Sequence, residues 1–453
     1  MINKKHFGYN LNDTQKIFSN HCWLEGKLQP ATVCIENNII SAIHNHKSED
    51  AEDLDNYIVM PGVIDAHVHI NEPGRTEWEG FDTATQAAAA GGITTIIDMP
   101  LNASPVTTTK IAFEKKKEAS KNKLNVNVGF YGGLVPGNQN ELEGLMQAGV
   151  LGIKCFLTHS GNKEFPNVGE KEINAAMPII AKYGLPLLVH CELEKEKIDN
   201  QFSSFPNSYR KYLDSRPTQW ENDAIELMIK LCRKHKCKTH IVHVSSAEAL
   251  GAIENAKSER LPLTAETCAH YIYFNAEGIP DANCLYKCAP PIREKENNNL
   301  LKLALKTGVL DFITTDHSPA PPEIKELATG NLLKAWGGIA GLQFLLPASW
   351  TALKEVLSIE EFIPLLTEQP AKFLQVENKK GKLAVGYDAD IVVWNPDEKF
   401  EVKPKEILHR YDYSPYNGQQ LFGTVRHTIV NGEMVYQNKK IIKKNKGKWL
   451  LRK

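Results

Sequence analysis

From residue 60 onward, short apolar runs rich in β-branched residues recur at intervals, separated by longer helix-compatible stretches. Eight can be counted, at 60–70, 94–99, 124–131, 150–157, 185–191, 239–244, 261–267 and 312–316. Parallel strands are joined only by crossovers long enough to hold a helix, so this alternation predicts a parallel sheet built from βα units. Eight units suit a closed (β/α)8 barrel, which carries its reacting groups at the C-terminal ends of the strands. An open, doubly wound sheet is the alternative. Clusters of turn residues at 73–74, 102–105, 160–166 and 318–322 all follow strand ends, and these are the loops that would surround a site.

The segments on either side read differently. Residues 16–59 and 382–435 are β-rich, with alternating runs such as 31–35 and 389–394, and Asn431-Gly432 is a hairpin signal. The expected organisation of the 453 residues is therefore one small β domain interrupted by the barrel. Residues 1–59 supply its first part, 60–375 form the barrel, and 376–453 supply its second part with a basic tail. That tail, 439–453, holds eight Lys or Arg and no acid, which predicts a solvated segment.

Charge and composition exclude several functions. Lys plus Arg is 53 against 54 Asp plus Glu, a net charge of -1, so no global field draws nucleic acid or anionic lipid. No run approaches the roughly 18 apolar residues of a membrane span. The nine cysteines are scattered without a C-x-x-C pair and read as reduced thiols. No apolar stretch before a small-residue cleavage site follows Met1, so a cytoplasmic location is expected.

His67 and His69 lie two apart in a strand run and so share a face, the interior one on a barrel strand. Two imidazoles on an inward face need partners for four ring nitrogens in an apolar setting, which a metal supplies. Lys154, His190, His243 and Asp316 each end a later apolar run. Imidazole and carboxylate ligands suit Zn, Mn, Fe or Co, and two such ions can share a hydroxide. Lys154 is the odd member. Buried beside cations it would be driven to the neutral amine, which reacts with carbon dioxide to a carbamate able to bridge two metals. A lysine reaching from a strand end to solvent is the plainer reading.

The order His-x-His, Lys, His, His, Asp on successive strands resembles the cyclic amidohydrolases, the group that includes dihydroorotase, hydantoinase and allantoinase. The likeness runs from Pro61-Gly-Val-Ile-Asp to Gly386-Tyr-Asp-Ala-Asp-Ile-Val-Val. Within the group, Asn71-Glu-Pro-Gly-Arg, Asp98-Met-Pro-Leu-Asn, Tyr212-Leu-Asp-Ser-Arg-Pro, Lys287-Cys-Ala-Pro-Pro-Ile-Arg and Thr315-Asp-His-Ser-Pro-Ala-Pro are similar to the allantoinase branch. The resemblance implies two divalent ions per chain, zinc foremost. His67, His69 and Asp316 would hold one, and His190 and His243 the other, with carboxylated Lys154 and a hydroxide between them. It further implies a small-molecule substrate, allantoin, opened to allantoate with Asp316 as acid–base group, and a homo-oligomer, commonly a tetramer.

Asn102 and Ser318, on loops after strands, would by the same resemblance contact the ring and its ureido tail, although either also suits a turn. Backbone groups from Cys288 to Pro291 would face the ring. His240 and His317 are expected to point away from the metals, His159 and His270 to be structural or supporting, and Cys155 and Cys191 to be core thiols. Trp336 suits the barrel mouth or a packing role. In dihydroorotases the position two after the second His looks like an Arg that holds the substrate carboxylate; here it is Asn71. An unpaired buried carboxylate is costly, so dihydroorotate should be a poor substrate. Two rivals remain: the same chemistry on a dihydropyrimidine, another hydantoin or dihydroorotate, and a non-catalytic scaffold.

Overall fold

The computed structural model describes residues 14–194 and 202–452. The N-terminal residues that bear on a leader lie outside the described residues, as does Lys453.

The eight expected runs form consecutive parallel strands: Val63–Val68, Ile93–Asp98, Asn127–Phe130, Ile153–Phe156, Leu187–His190, Thr239–Ile241, Leu263–Cys268 and Phe312–Thr314. Nearly every residue in them is buried, because helices cover the outer face and side chains fill the interior. Helix Thr218–His235 is typical: Ala224, Ile225, Met228, Leu231 and Cys232 face the wall, while basic residues in the last turn suit the negative end of its dipole.

The wall is closed by exceptions to the regular ladder. Between the third and fourth strands the chain steps across at Tyr131, and Gly132–Gly133 then pairs with Ile153 and Lys154. Between the eighth and first, a single parallel bridge joins His317 to Val68. Asp65 reinforces that seam by accepting from the Thr315 N–H at 3.2 Å and the Thr315 hydroxyl at 2.5 Å.

The segments flanking the barrel combine in one further sheet. Strand Ile58–Pro61 lies antiparallel to Ile391–Glu401, with Pro61 opposite Ile391 and Ile58 opposite Trp394. Gln15–Leu24, Lys27–Glu36 and Ile39–His44 extend it on one side, and Gln420–Val430, Glu433–Gln437 and Lys440–Ile441 on the other. Asn431 and Gly432 both take positive φ, 49° and 78°, as the hairpin signal requires. Met60 and Pro61, read as barrel strand from the sequence, belong to this sheet instead.

The tail also departs from expectation. Trp449–Leu450 is a strand, parallel to Val128 and Gly129 of the third barrel strand and on its edge away from Ile93–Asp98. The Trp449 indole donates to Ser120 Oγ at 2.8 Å, and the Lys448 carbonyl accepts from Val128 N–H at 2.9 Å. A run that is basic but contains Trp449, Leu450 and Leu451 can hold its lysine heads in water while its apolar members bury, so charge alone misread it.

Candidate active site

At the C-terminal ends of the strands lies a cavity of about 510 Å³ whose lining includes His67, His69, His190, His243 and Asp316. Two residues apart on the first strand run, His67 and His69 reach the same carboxylate: their Nε2 atoms lie 3.3 and 3.2 Å from Asp316 Oδ1. Nitrogen and oxygen atoms of these three buried side chains lie within 4.8 Å of one another, a spacing that suits one metal ion. His190 and His243 form the second pair, with Nδ1 of the first 3.0 Å from Nε2 of the second. The two pairs adjoin, since the His67 and His243 ring centroids are 5.5 Å apart. Asp316 and His243 both carry positive φ, 45° and 40°, so each leaves its strand in a sharp turn at the cavity floor.

Two glutamates that the sequence reading did not single out decide which ring nitrogen faces inward. His67 Nδ1 is 2.5 Å from Glu266 Oε1, and burial keeps the ring neutral by pushing its pKa well below the ordinary value. The Nδ1–H therefore donates to the carboxyl and Nε2 presents its lone pair to Asp316 and His69. His190 is turned the other way: its Nε2 is 2.7 Å from Glu192 Oε2, which leaves Nδ1 inward. Burial opposes the charge on Glu192, but the Arg216 guanidinium and His190 hold its pKa down at about 2. Burial dominates at Glu266 and pushes it up to about 8. A signal for both was present, since Glu192 sits two after His190 and Glu266 sits inside an apolar strand.

Lys154 tests the fit of a metal centre. Its side chain is fully buried, its Nζ has no hydrogen-bond partner among the described residues, and it lies 4.9 Å from the Phe156 ring centroid. Burial pulls its pKa down to about 8, against the opposing pull of Asp316 and Glu266. His69 Nδ1 and His243 Nδ1 are likewise buried without partners. A cluster of imidazoles, a carboxylate and an orphaned amine in a closed floor is polar capacity that protein groups leave unused, and divalent cations match it.

Asn102, Ser318 and Cys288 all line the cavity. Asn102 Nδ2 is 3.5 Å from Ser318 Oγ, and its buried Oδ1 has no partner. The carbonyls of the Cys288 run are engaged by tyrosine and serine hydroxyls: Tyr212 to Cys288 at 2.5 Å, Tyr271 to Pro290 at 2.7 Å and Ser245 to Pro291 at 2.6 Å. Asn71 lies outside the lining, fully buried, with Nδ2 3.5 Å from the Pro319 carbonyl. Cations do line the cavity, namely Arg216, Lys287 and Lys334. Discrimination against a carboxylate substrate therefore cannot rest on Asn71 alone. Arg216 is engaged by Glu192 through Nε at 3.0 Å and through a second short contact.

His240 stacks on Phe312 and reaches Glu266 at 3.1 Å, outside the lining. The His317 ring accepts from the N–H groups of Gly341 and Leu342 and faces Glu79. His159 and Trp336 line the cavity, His159 accepting the Gly161 N–H at Nδ1. His270, Cys155 and Cys191 are buried.

A barrel with this cluster at the C-terminal ends of its strands defines a metal-dependent hydrolase, and the chain belongs to the amidohydrolase family, whose model matches residues 58–435. It is 40% identical over 447 residues to allantoinase of Arabidopsis thaliana, an alignment covering 92% of this chain and 88% of the relative. Allantoinase of Streptomyces avermitilis is 40% identical over 413 residues, covering 90% and 92%. Among solved structures, the L-hydantoinase (dihydropyrimidinase) of Arthrobacter aurescens superposes with a TM-score of 0.90 at 30% identity, over 96% of this chain and 99% of that one. The chain is an enzyme that hydrolyses C–N bonds of cyclic amides.

Proposed function

We propose that the enzyme opens the hydantoin ring of allantoin to give allantoate. The observation that carries this is the alignment of allantoinases from plant and bacterium across about nine-tenths of the chain, the His, Lys and Asp cluster included in its span. His67, His69 and Asp316 would hold one divalent ion and His190 and His243 a second, with Lys154, as its carbamate, contributing to both. Zinc heads the candidates, with Mn, Co and Fe served by the same donors. Bound there, such ions lower the pKa of water and polarise the ring carbonyl. Glu266 and Glu192 keep the imidazoles turned inward through the hydrogen bonds described above. Asp316 accepts the proton of the attacking water and delivers it to the ring nitrogen as the C–N bond breaks, so that the carbonyl carbon leaves as a carboxylate. Asn102 Oδ1 and Ser318 Oγ offer an acceptor and a donor to a neutral ureido group.

Two further proposals concern the molecule in its setting. The homotetramer follows the family resemblance and is checked by sedimentation. Residence in a reducing compartment such as the cytoplasm is supported by nine buried cysteines, all free thiols. Among the described residues no helix is long and apolar enough to cross a membrane.

The deciding experiment is metal analysis of the purified protein followed by steady-state kinetics on allantoin, dihydroorotate, dihydrouracil and hydantoin. The highest kcat/KM is expected for allantoin. A comparable or higher value for dihydroorotate would overturn the assignment, and a preference for dihydrouracil or hydantoin would move it to the activity named for the Arthrobacter structure.

A further inference from the structure

Lys325 is 3% exposed, yet among the described residues no carboxylate meets it. Its Nζ donates to the carbonyls of Lys287 at 3.1 Å, Trp336 at 3.1 Å and Gly338 at 2.5 Å. An ammonium has three N–H donors and no acceptor, so its whole capacity goes to the main chain. The three carbonyls come from two loops, one after the seventh barrel strand and one after the eighth. Lys287 adds a second staple between the same loops, with its Nζ 2.5 Å from the Ala335 carbonyl and its own carbonyl accepting from Gly338 N–H at 2.8 Å.

Both loops are cavity wall. Lys287, Cys288, Ala289 and the run 335–338 line it, whereas Lys325 does not. Gly338 is pressed on Ser318 so closely that a Cβ there, at φ 155°, would stand 2.2 Å from the Ser318 carbonyl oxygen. The contact is held by a hydrogen bond, the Ser318 N–H donating to the carbonyl of Ile339, next to Gly338, at 2.9 Å. The imidazoles and Asp316, by contrast, stand on strand ends that Lys325 does not touch.

We propose that Lys325 is a positioning residue for the substrate: its ammonium clamps the two loops of the outer wall and so fixes where Cys288 and Ser318 stand. The groups that face it are Lys287, Cys284, Cys288 and His270, none of which is a carboxylate. Burial accordingly pulls its pKa down to about 7. The neutral amine would keep two N–H donors and turn a lone pair on the third carbonyl, so the clamp weakens as pH rises through neutrality.

The inference rests on reading the cavity as the allantoin site. Lys325→Met should raise KM for allantoin about 10-fold, the scale of buried carbonyls left unpaired, while kcat stays within about threefold and bound metal is unchanged. Wild-type KM should climb between about pH 6 and 9 as the lysine loses its proton, and the climb should be smaller in the variant, where the Lys287 staple alone remains to titrate. Amide hydrogen exchange should quicken in the variant at 287–289 and 333–339. Wild-type KM and exchange in the variant overturn the proposal, as does a loss of kcat and metal together with KM. If the variant does not fold, the wild-type profile decides alone, and a flat KM over that range overturns it. Failure of the wild type to hydrolyse allantoin defeats the substrate reading, whereas hydrogen exchange in the two loops still decides the clamp.

Discussion

An amine that is fully buried with no hydrogen-bond partner, as Lys154 is, cannot be stable there as a free ammonium beside cations. Lys154→Ala should therefore abolish turnover and lower the bound metal, and a short carboxylic acid at high concentration should partly restore activity by occupying the vacated volume. Near-normal turnover with a full metal complement would refute the carbamate. Asp316→Asn keeps size but cannot take the proton as a carboxylate does, so turnover should fall by about 10² to 10⁴ with thermal stability retained. Full activity in that variant would hand the proton transfer to another residue. His67 and His69 could be picked out because they lie two apart in one apolar run, and Lys154, His190, His243 and Asp316 because each is preceded by apolar strand residues. Glu192 and Glu266 were passed over because a carboxylate reads as solvated unless its strand is recognised as buried on both faces. The placing of Asn71 behind the wall depends on the path of the loop to Glu79, which has no sequence period.

At the scale of elements, eight strands were legible because their runs are continuous, β-branched and evenly spaced. The seams between them were not. Closure of the wall depends on a step at Tyr131, on one bridge at Val68 and on the added strand Trp449–Leu450, which is too short to show alternation. That added strand needs glycine beside it: a Cβ on Gly447 would stand 1.9 Å from the Val126 carbonyl oxygen. Gly447→Ala should cost about 1–3 kcal/mol by forcing the two segments apart, visible as a lower Tm, with kcat unchanged because the cavity is at the other end of the barrel. An unchanged Tm would mean that the strand pairing contributes little.

For the whole molecule, buried thiols set the alkaline limit. Burial pushes Cys155, Cys237 and Cys288 up to about 12 and Cys22 to about 11, from an ordinary value of 9.0. Between those values the unfolded chain has released protons that the folded chain keeps, so stability is fully present below about pH 9 and falls as pH rises. Lys287 and Lys325 act in the opposite sense, but they are two against four and their contribution ends at the ordinary lysine value of 10.5. The denaturant midpoint should decline steadily from pH 9 to 11, and a constant midpoint there would contradict the assignment of burial to these thiols. The strand at Trp449–Leu450 also bears on biogenesis. Val128 and Gly129 wait for partners more than three hundred residues later in the chain, so on the ribosome this part of the third barrel strand emerges with one edge uncovered and keeps it until those further residues have been made. Such an edge invites pairing with strangers. Nascent chains stalled short of that strand are thus the form of this protein with most need of a chaperone.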